Sequence, residues 1–501
     1  MYFLPQSAQA VDIEGTFTSD SDFPVNVADP SFYTLNGEAY SGGIDSDTNL
    51  TVYGTLSSVP SDYDITLAPS VTAGDLTYNL ELPANFWSNS IFTTNIDSVV
   101  SVKNFTLNLR ECSTTYPNLT FYANSNSALN VRGDFLFSDT RSSSNRYETV
   151  LSFSGNGSFA IGGNFTVDSR AVNAAEGPYN CVIFSVDSAN FTVGKILTLK
   201  NSNGDENIFR TSPSSAGTFT RTLGGLQIGQ NGMIQLGGNA ATANTTEFIF
   251  TNSEMGEYVG GLLTKSVDGE AADNKLNIKM VASDAANGRQ IMRFMTTGGW
   301  TSYDGNARYS DSANALNEVE VSGGRLDLGM YGGMKGGSLM IMGYNRPSEA
   351  VFSATGTAAD TEIGRVVFDT MSFYRGTVFF DLAETDGDFI KVNGAMTKVS
   401  GASPLVLEMN VSAYDLQAWI EASERDGWSA DLMSFATEGS NVSADDFTLK
   451  LQDGITGKIT ISELDGISTI TANLSIVPEP AEIAAAIGLA ALAFAARRRR
   501  G

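Results

Sequence analysis

Apolar and polar residues alternate with a period of two through much of the chain, and the alternation itself recurs. Leu129-Asn-Val131-Arg-Gly133-Asp-Phe135-Leu-Phe137 has the same layout as Phe159-Ala-Ile161-Gly-Gly163-Asn-Phe165-Thr-Val167 and as Phe191-Thr-Val193-Gly-Lys195-Ile-Leu197-Thr-Leu199. Each copy reads as two short strands split by a three-residue corner that often holds glycine, and the copies begin 30 and 32 residues apart. Weaker copies lie at Val100-Ser-Val102 with Phe105-Thr-Leu107, and at Leu226-Gln-Ile228 with Ile234-Gln-Leu236. A period of two turns one side of each strand inward, and glycine lets the backbone turn sharply at the corner. A strand-only repeat of this length predicts solenoid rungs, each burying what its neighbour cannot. The expected fold is all-β: a parallel, right-handed β-helix with terminal β caps. Stacking then places Ile161 between Val131 and Val193, and Phe165 between Phe135 and Leu197.

A second β-rich stretch begins at Glu318-Val-Glu320-Val321-Ser-Gly323-Gly324-Arg-Leu326-Asp-Leu328 and continues through Ser338–Met342, Glu362–Phe368, Thr377–Leu382 and Asp386–Gly394. Its Val-Ser-Gly-Gly-x-Leu-x-Leu strand and its late Asp-x-Ile-x-Val-x-Gly strand are similar to the β-helical passenger stalks of autotransporters, over about Val319–Gly394. No outer-membrane barrel sequence follows, so self-secretion does not carry over. One helix is expected at 413–425, with Ser412 as its cap, Asp415 in the capping-box position, Gly427 just past its end, and Leu416, Trp419 and Ile420 on one face against the solenoid end. The organisation expected is a signal-peptide remnant at 1–10, an N-terminal β region or cap at 11–90, solenoid repeats at 91–250, a second, stalk-like section at 251–400, a C-terminal cap at 401–476 and a terminal segment at 477–501.

That terminal segment reads Val477-Pro478-Glu479-Pro480, an apolar run to Ala496, then Arg497-Arg498-Arg499-Arg500 and Gly501. The prolines end the preceding strand, and Pro480 suits a helix start. As a helix the run spans about 24 Å, slightly short of a bilayer core, a gap that snorkelling arginines close. A transmembrane helix is expected there, with the arginines held cytoplasmic and the body outside. The order Pro-Glu-Pro, short apolar helix, basic cluster resembles the PEP-CTERM sorting signal of exported Gram-negative proteins. The resemblance covers Val477–Gly501 alone. It implies an exosortase-type membrane protease as partner, removal of the tail, and delivery to the cell surface or an extracellular matrix. At the other end, Ser7-Ala8-Gln9-Ala10 resembles the cleavage end of a secretory signal whose earlier part is missing.

Composition narrows the chemistry. The chain has 501 residues, 56 acidic against 30 basic, and a net charge of −26. Such a field opposes nucleic acid as a partner. Histidine is absent, which removes Ser-His-Asp and Cys-His nucleophile systems and histidine-ligated metal sites. Cys112 and Cys181 either pair, closing a loop of about 70 residues, or remain two apolar thiols. Asp386 and Asp388 are weak candidates for Ca²⁺ ligands, with a solvated acidic turn as the alternative; no other cofactor is implied. Arg132-Gly133-Asp134 is an integrin-type tripeptide that falls at a repeat corner, where turn chemistry accounts for it. The sequons at Asn104 and Asn164 fall in the same place and are read the same way.

Two functions follow. The first is a non-catalytic surface or matrix protein, stalk- or adhesin-like, with an extracellular polysaccharide or matrix as partner and no catalytic residues. The second is a polysaccharide-active β-helix enzyme, a lyase or hydrolase. A groove lined by aromatic residues and three or more carboxylates favours the second; a smooth solenoid face favours the first.

Overall fold

The computed structural model describes residues 10–17, 26, 28–55, 65–66, 70–82, 92–94, 97–112, 118–140, 142–143, 147–169, 172–173, 180–187, 190–201, 207–211, 216–229, 232–236, 244–251, 262–266, 274–282, 288–295, 309–310, 315–331, 333–343, 350–355 and 363–477. Among them the chain is an all-β parallel solenoid with a single α-helix. Each rung of the first half contributes strands to three faces. In the rung that starts at 128 these are Ala128–Val131, Phe135–Asp139 and Tyr147–Gly155; in the next they are Ser158–Ile161, Phe165–Ser169 and Asn180–Val186. The first two faces belong to one 28-stranded sheet, and the third is a separate 9-stranded sheet.

Like stacks on like as the alternation requires. Val131 pairs with Ile161 and Ile161 with Val193 on the first face; Phe135 pairs with Phe165 and Phe165 with Leu197 on the second. The inward residues are buried, Ile161 being 3% exposed and Phe165 fully covered. Phenylalanines from all three faces meet at the centre. Phe105 stacks on Phe135 at 4.7 Å, Phe121 on Phe153 at 4.9 Å, and Phe153 meets Phe159 edge-on at 4.8 Å. Rings spaced by the strand repeat combine large apolar burial with favourable aromatic geometry.

The weak copy at Leu226–Leu236 is displaced by one face from its expected alignment. Leu226 pairs with Leu197 on the second face, and Ile234 with Phe209 on the third. The residue that continues the first-face column Leu129–Phe159–Phe191 is Arg221. It is fully buried, and its guanidinium donates to the carbonyls of Val186 at 3.1 Å and Thr220 at 3.2 Å. Desolvation lowers its pKa to about 10. A charged residue in an apolar column hides the true repeat, Arg221-Thr-Leu223-Gly-Gly225-Leu226.

Parallel pairing begins at the strand Val11–Phe17, which stacks on Thr48–Thr55, which in turn stacks on Leu76–Leu82. At the other end the mode changes. Trp428–Ala436 and Ile455–Leu464 both run antiparallel to Ile467–Ile476, which lies between them. The turn Asp465-Gly466, with φ of 52° and 77°, has the two left-handed residues that a tight hairpin demands. Ile455–Leu464 presents an exposed face with Lys458 and Glu463, a polar edge that resists further strand addition. The helix α1 covers Ala413–Ala422, three residues shorter than expected. Ser412 caps it, its hydroxyl accepting from the Asp415 N–H at 3.1 Å, and Leu416 is buried. It ends because Glu424 takes the left-handed conformation (φ 53°) ahead of Gly427. Among the described residues no helix is long and apolar enough to cross a membrane.

Candidate functional site

Two features of the surface carry organised polar chemistry. The first is a ladder along the corner between the first two faces. Asn49 donates from its carboxamide to Asp12 at 2.8 Å, and its own Oδ1 accepts from the Asp75 N–H at 2.8 Å. Asn104 donates to Asp75 at 2.9 Å and accepts from the Asp134 N–H at 2.9 Å. Asp134 accepts from the Asn164 N–H at 2.7 Å, and Asn164 from the Ile196 N–H at 3.3 Å. The order Asp, Asn, Asp, Asn, Asp, Asn has a physical reason. A carboxylate only accepts, while a carboxamide does both, and the alternation sets the carboxylates about 10 Å apart instead of one rung apart.

The ladder also explains the tripeptide at 132–134. A Cβ on Gly133 would meet the Asn104 Oδ1 at 2.2 Å, and one on Gly163 the Asp134 Oδ1 at 2.2 Å. At these two corners glycine is required because the neighbouring rung's side chain occupies the space of a Cβ. The sequon residues Asn104 and Asn164 are rungs of the same ladder.

The second feature is a cleft of about 710 Å³ beside α1, lined among others by Arg365, Glu384, Asp386, Phe389, Trp419, Trp428 and Asp431. Trp419 projects from α1, and Trp428 opens the strand Trp428–Ala436; their ring centroids are 5.5 Å apart at 44°. The Trp428 Nε1–H donates to the Glu384 carbonyl at 3.1 Å, which fixes that ring. The opposite wall is the turn from Leu382 to Gly387, where the Ala383 N–H donates to the Asp386 carbonyl at 2.8 Å. Asp388 pins this turn from inside. It is fully buried, and its carboxylate accepts from the Gly364 N–H at 2.6 Å and the Asp381 N–H at 2.9 Å. Desolvation raises its pKa to about 7 despite those two donors.

The cleft thus joins aromatic rings with three carboxylates, the lining expected of a polysaccharide-active groove. Two of the three carboxylates are engaged, however, and Glu384 is exposed. Asp386 is bound by the Arg365 guanidinium at 2.7 Å and by the Gly387 N–H at 2.9 Å, and the Arg365 hydrogen bond holds it below the usual carboxylate range. Asp431 accepts from the Thr471 hydroxyl at 2.7 Å. The strongly raised carboxyl, Asp388, lies buried behind the wall with both oxygens bound to backbone. Asp388 therefore belongs to the support of the wall and does not face the cleft.

The calcium candidates do not converge: Asp386 faces solvent beside Arg365, and Asp388 faces the core. Among the described residues no group of three or more potential metal-ligating side chains is present. Cys112 ends a second-face strand and pairs with Leu82; Cys181 lies on the third face and pairs with Glu148. Their backbones are two rungs apart along the axis, about 10 Å; their side chains lie outside the described residues. Val477 is the last described residue of the expected sorting motif, and its N–H donates to the Gly454 carbonyl at 2.9 Å. Pro478, Glu479, Pro480 and Arg497–Arg500 lie outside the described residues, as does the segment 1–9. No protein-family model matches the chain, and no curated protein is similar to it.

Proposed function

We propose that the chain is an exported, non-catalytic surface or matrix protein, a right-handed β-helix closed by β caps at its ends and sorted through its C-terminal tail. The observation that carries this reading is the tail itself: Pro478-Glu479-Pro480, one short apolar run and four arginines, in that order, directly after the last cap strand. The body suits display. Stacked rungs build a long particle whose stability is a sum of neighbour contacts, its Asx corner ladder is a structural device, and the final strand that leads to the tail is held between two partners. In this reading an exosortase-type protease recognises Pro478-Glu479-Pro480 while the apolar helix holds the chain in the inner membrane with Arg497–Arg500 inside. Replacing Glu479 with Gln, or deleting Arg497–Arg500, then leaves the protein membrane-bound at its unprocessed mass in a host carrying the protease. Unchanged release of the shortened form from either variant refutes it. The second reading, a polysaccharide-active enzyme, is favoured by the three carboxylates in the aromatic cleft, and release of new reducing ends from polysaccharide by the purified protein would establish it.

A further inference from the structure

We propose that the cleft beside α1 is a binding site for a neutral glycan chain, with Trp419 and Trp428 as its stacking platform. This goes beyond the display reading and does not rest on the sorting tail. The chain has four tryptophans, and two of them line this one cleft, half-buried instead of sealed in the Phe-rich core. Two indoles 5.5 Å apart and inclined at 44° form an angled apolar surface. The C–H faces of a pyranose ring complement such a surface, and the ring's hydroxyls need donors and acceptors around its edge. The cleft supplies both: Arg365, its side chain 64% exposed, and Arg425 donate; Glu384, Asp386 and Asp431 accept. An aromatic floor with a few placed polar groups is the general form of a small-ligand site, and a volume of about 710 Å³ is in the usual range. The platform is preorganised, since Trp428 is tied to the Glu384 carbonyl and Trp419 rides on a helix anchored by buried Leu416. The net charge of −26 selects against polyanionic glycans.

The test is calorimetric titration of the full chain with cellohexaose, mannohexaose and hexagalacturonate, followed in parallel by tryptophan fluorescence. Saturable binding of at least one neutral hexasaccharide is expected, at least tenfold weaker in Trp419→Ala and several-fold weaker in Arg365→Gln, with hexagalacturonate inert. Arg365 is exposed, so its variant reports on binding even where Trp419→Ala disturbs α1. Absence of binding by both neutral probes, binding of hexagalacturonate alone, or neutral binding untouched by both substitutions overturns the proposal. Release of reducing ends that Trp419→Ala abolishes supports the cleft as the saccharide site and overturns the non-catalytic reading above, so the two conclusions fail separately.

Discussion

Replacing Ile161 with Asp tests the solenoid at its most regular point. Ile161 is 3% exposed and lies between Val131 and Val193 in one apolar column. Losing its burial and leaving a cavity costs about 3 kcal/mol. A carboxylate there has no partner and takes up a proton instead. At pH 7, protonating a group of ordinary pKa near 4 costs about 4 kcal/mol. The sum, about 7 kcal/mol, rivals the whole stability of a typical domain. In a solenoid that loss is local, because each rung touches only its neighbours. Limited proteolysis read by mass spectrometry should therefore show cleavage within Leu129–Leu199 while Val319–Leu451 stays protected. Hydrogen exchange should show the same boundary. Acid partly restores the rungs: at pH 5 the protonation cost falls to about 1 kcal/mol. Thr166→Ala, on an outward position half-covered by its neighbours, should change little. Equal protease sensitivity along the whole chain, or none anywhere, refutes nearest-neighbour stacking at this column.

Asn104→Asp keeps the size of a ladder rung but sets carboxylates on three successive rungs, Asp75, 104 and Asp134, and removes the donor to Asp75. Repulsion at about 5 Å near the surface predicts a loss of about 1–2 kcal/mol at low ionic strength, largely recovered in molar salt; thermal melting that ignores salt argues against the charge-alternation rule. Asp388 makes a pH-dependent contribution. Its pKa rises from 3.8 to about 7 on folding, so the native state holds the extra proton, and the stabilisation is complete below pH 3.8 and lost as pH rises through 7. Denaturant unfolding should show wild type losing up to about 4 kcal/mol relative to Asp388→Asn between pH 4 and pH 8; parallel pH curves for the two proteins rule the assignment out.

Where the sequence was legible, the reason was spacing. The columns through Ile161 and Phe165 were readable because strand alternation and a near-constant rung length both survive between 100 and 200. The ladder was not, because its rungs are 37, 26, 29, 30 and 30 residues apart. The first intervals break the period, so the parallel strands at Val11–Phe17, Thr48–Thr55 and Leu76–Leu82 carried no audible repeat. Arg221 hid another rung by a different route: it keeps the position of a column residue and loses the polarity that marks one. What rescues it is partly tertiary: beside the adjacent Thr220 carbonyl it reaches the Val186 carbonyl, 35 residues earlier and outside any local window.

The cleft lies further from the sequence still. Its walls come from the turn at 382–387, from α1 and from the start of the strand at Trp428, with Glu384 and Trp428 meeting across 44 residues. The amphipathic helix with its Ser412 cap was visible, because capping and helical spacing are local. Its Trp419 packs against the core as expected, and that it also meets a second tryptophan is a tertiary fact, since Trp428 comes from the strand after the helix. The buried carboxyl of Asp388, which makes stability fall toward neutral pH, also sets the wall of the glycan site. Both backbone donors hold the ionised carboxylate at least as firmly as the neutral acid, so the turn should keep its shape, and titrations at pH 5 and pH 8 should show glycan binding of equal strength while stability falls.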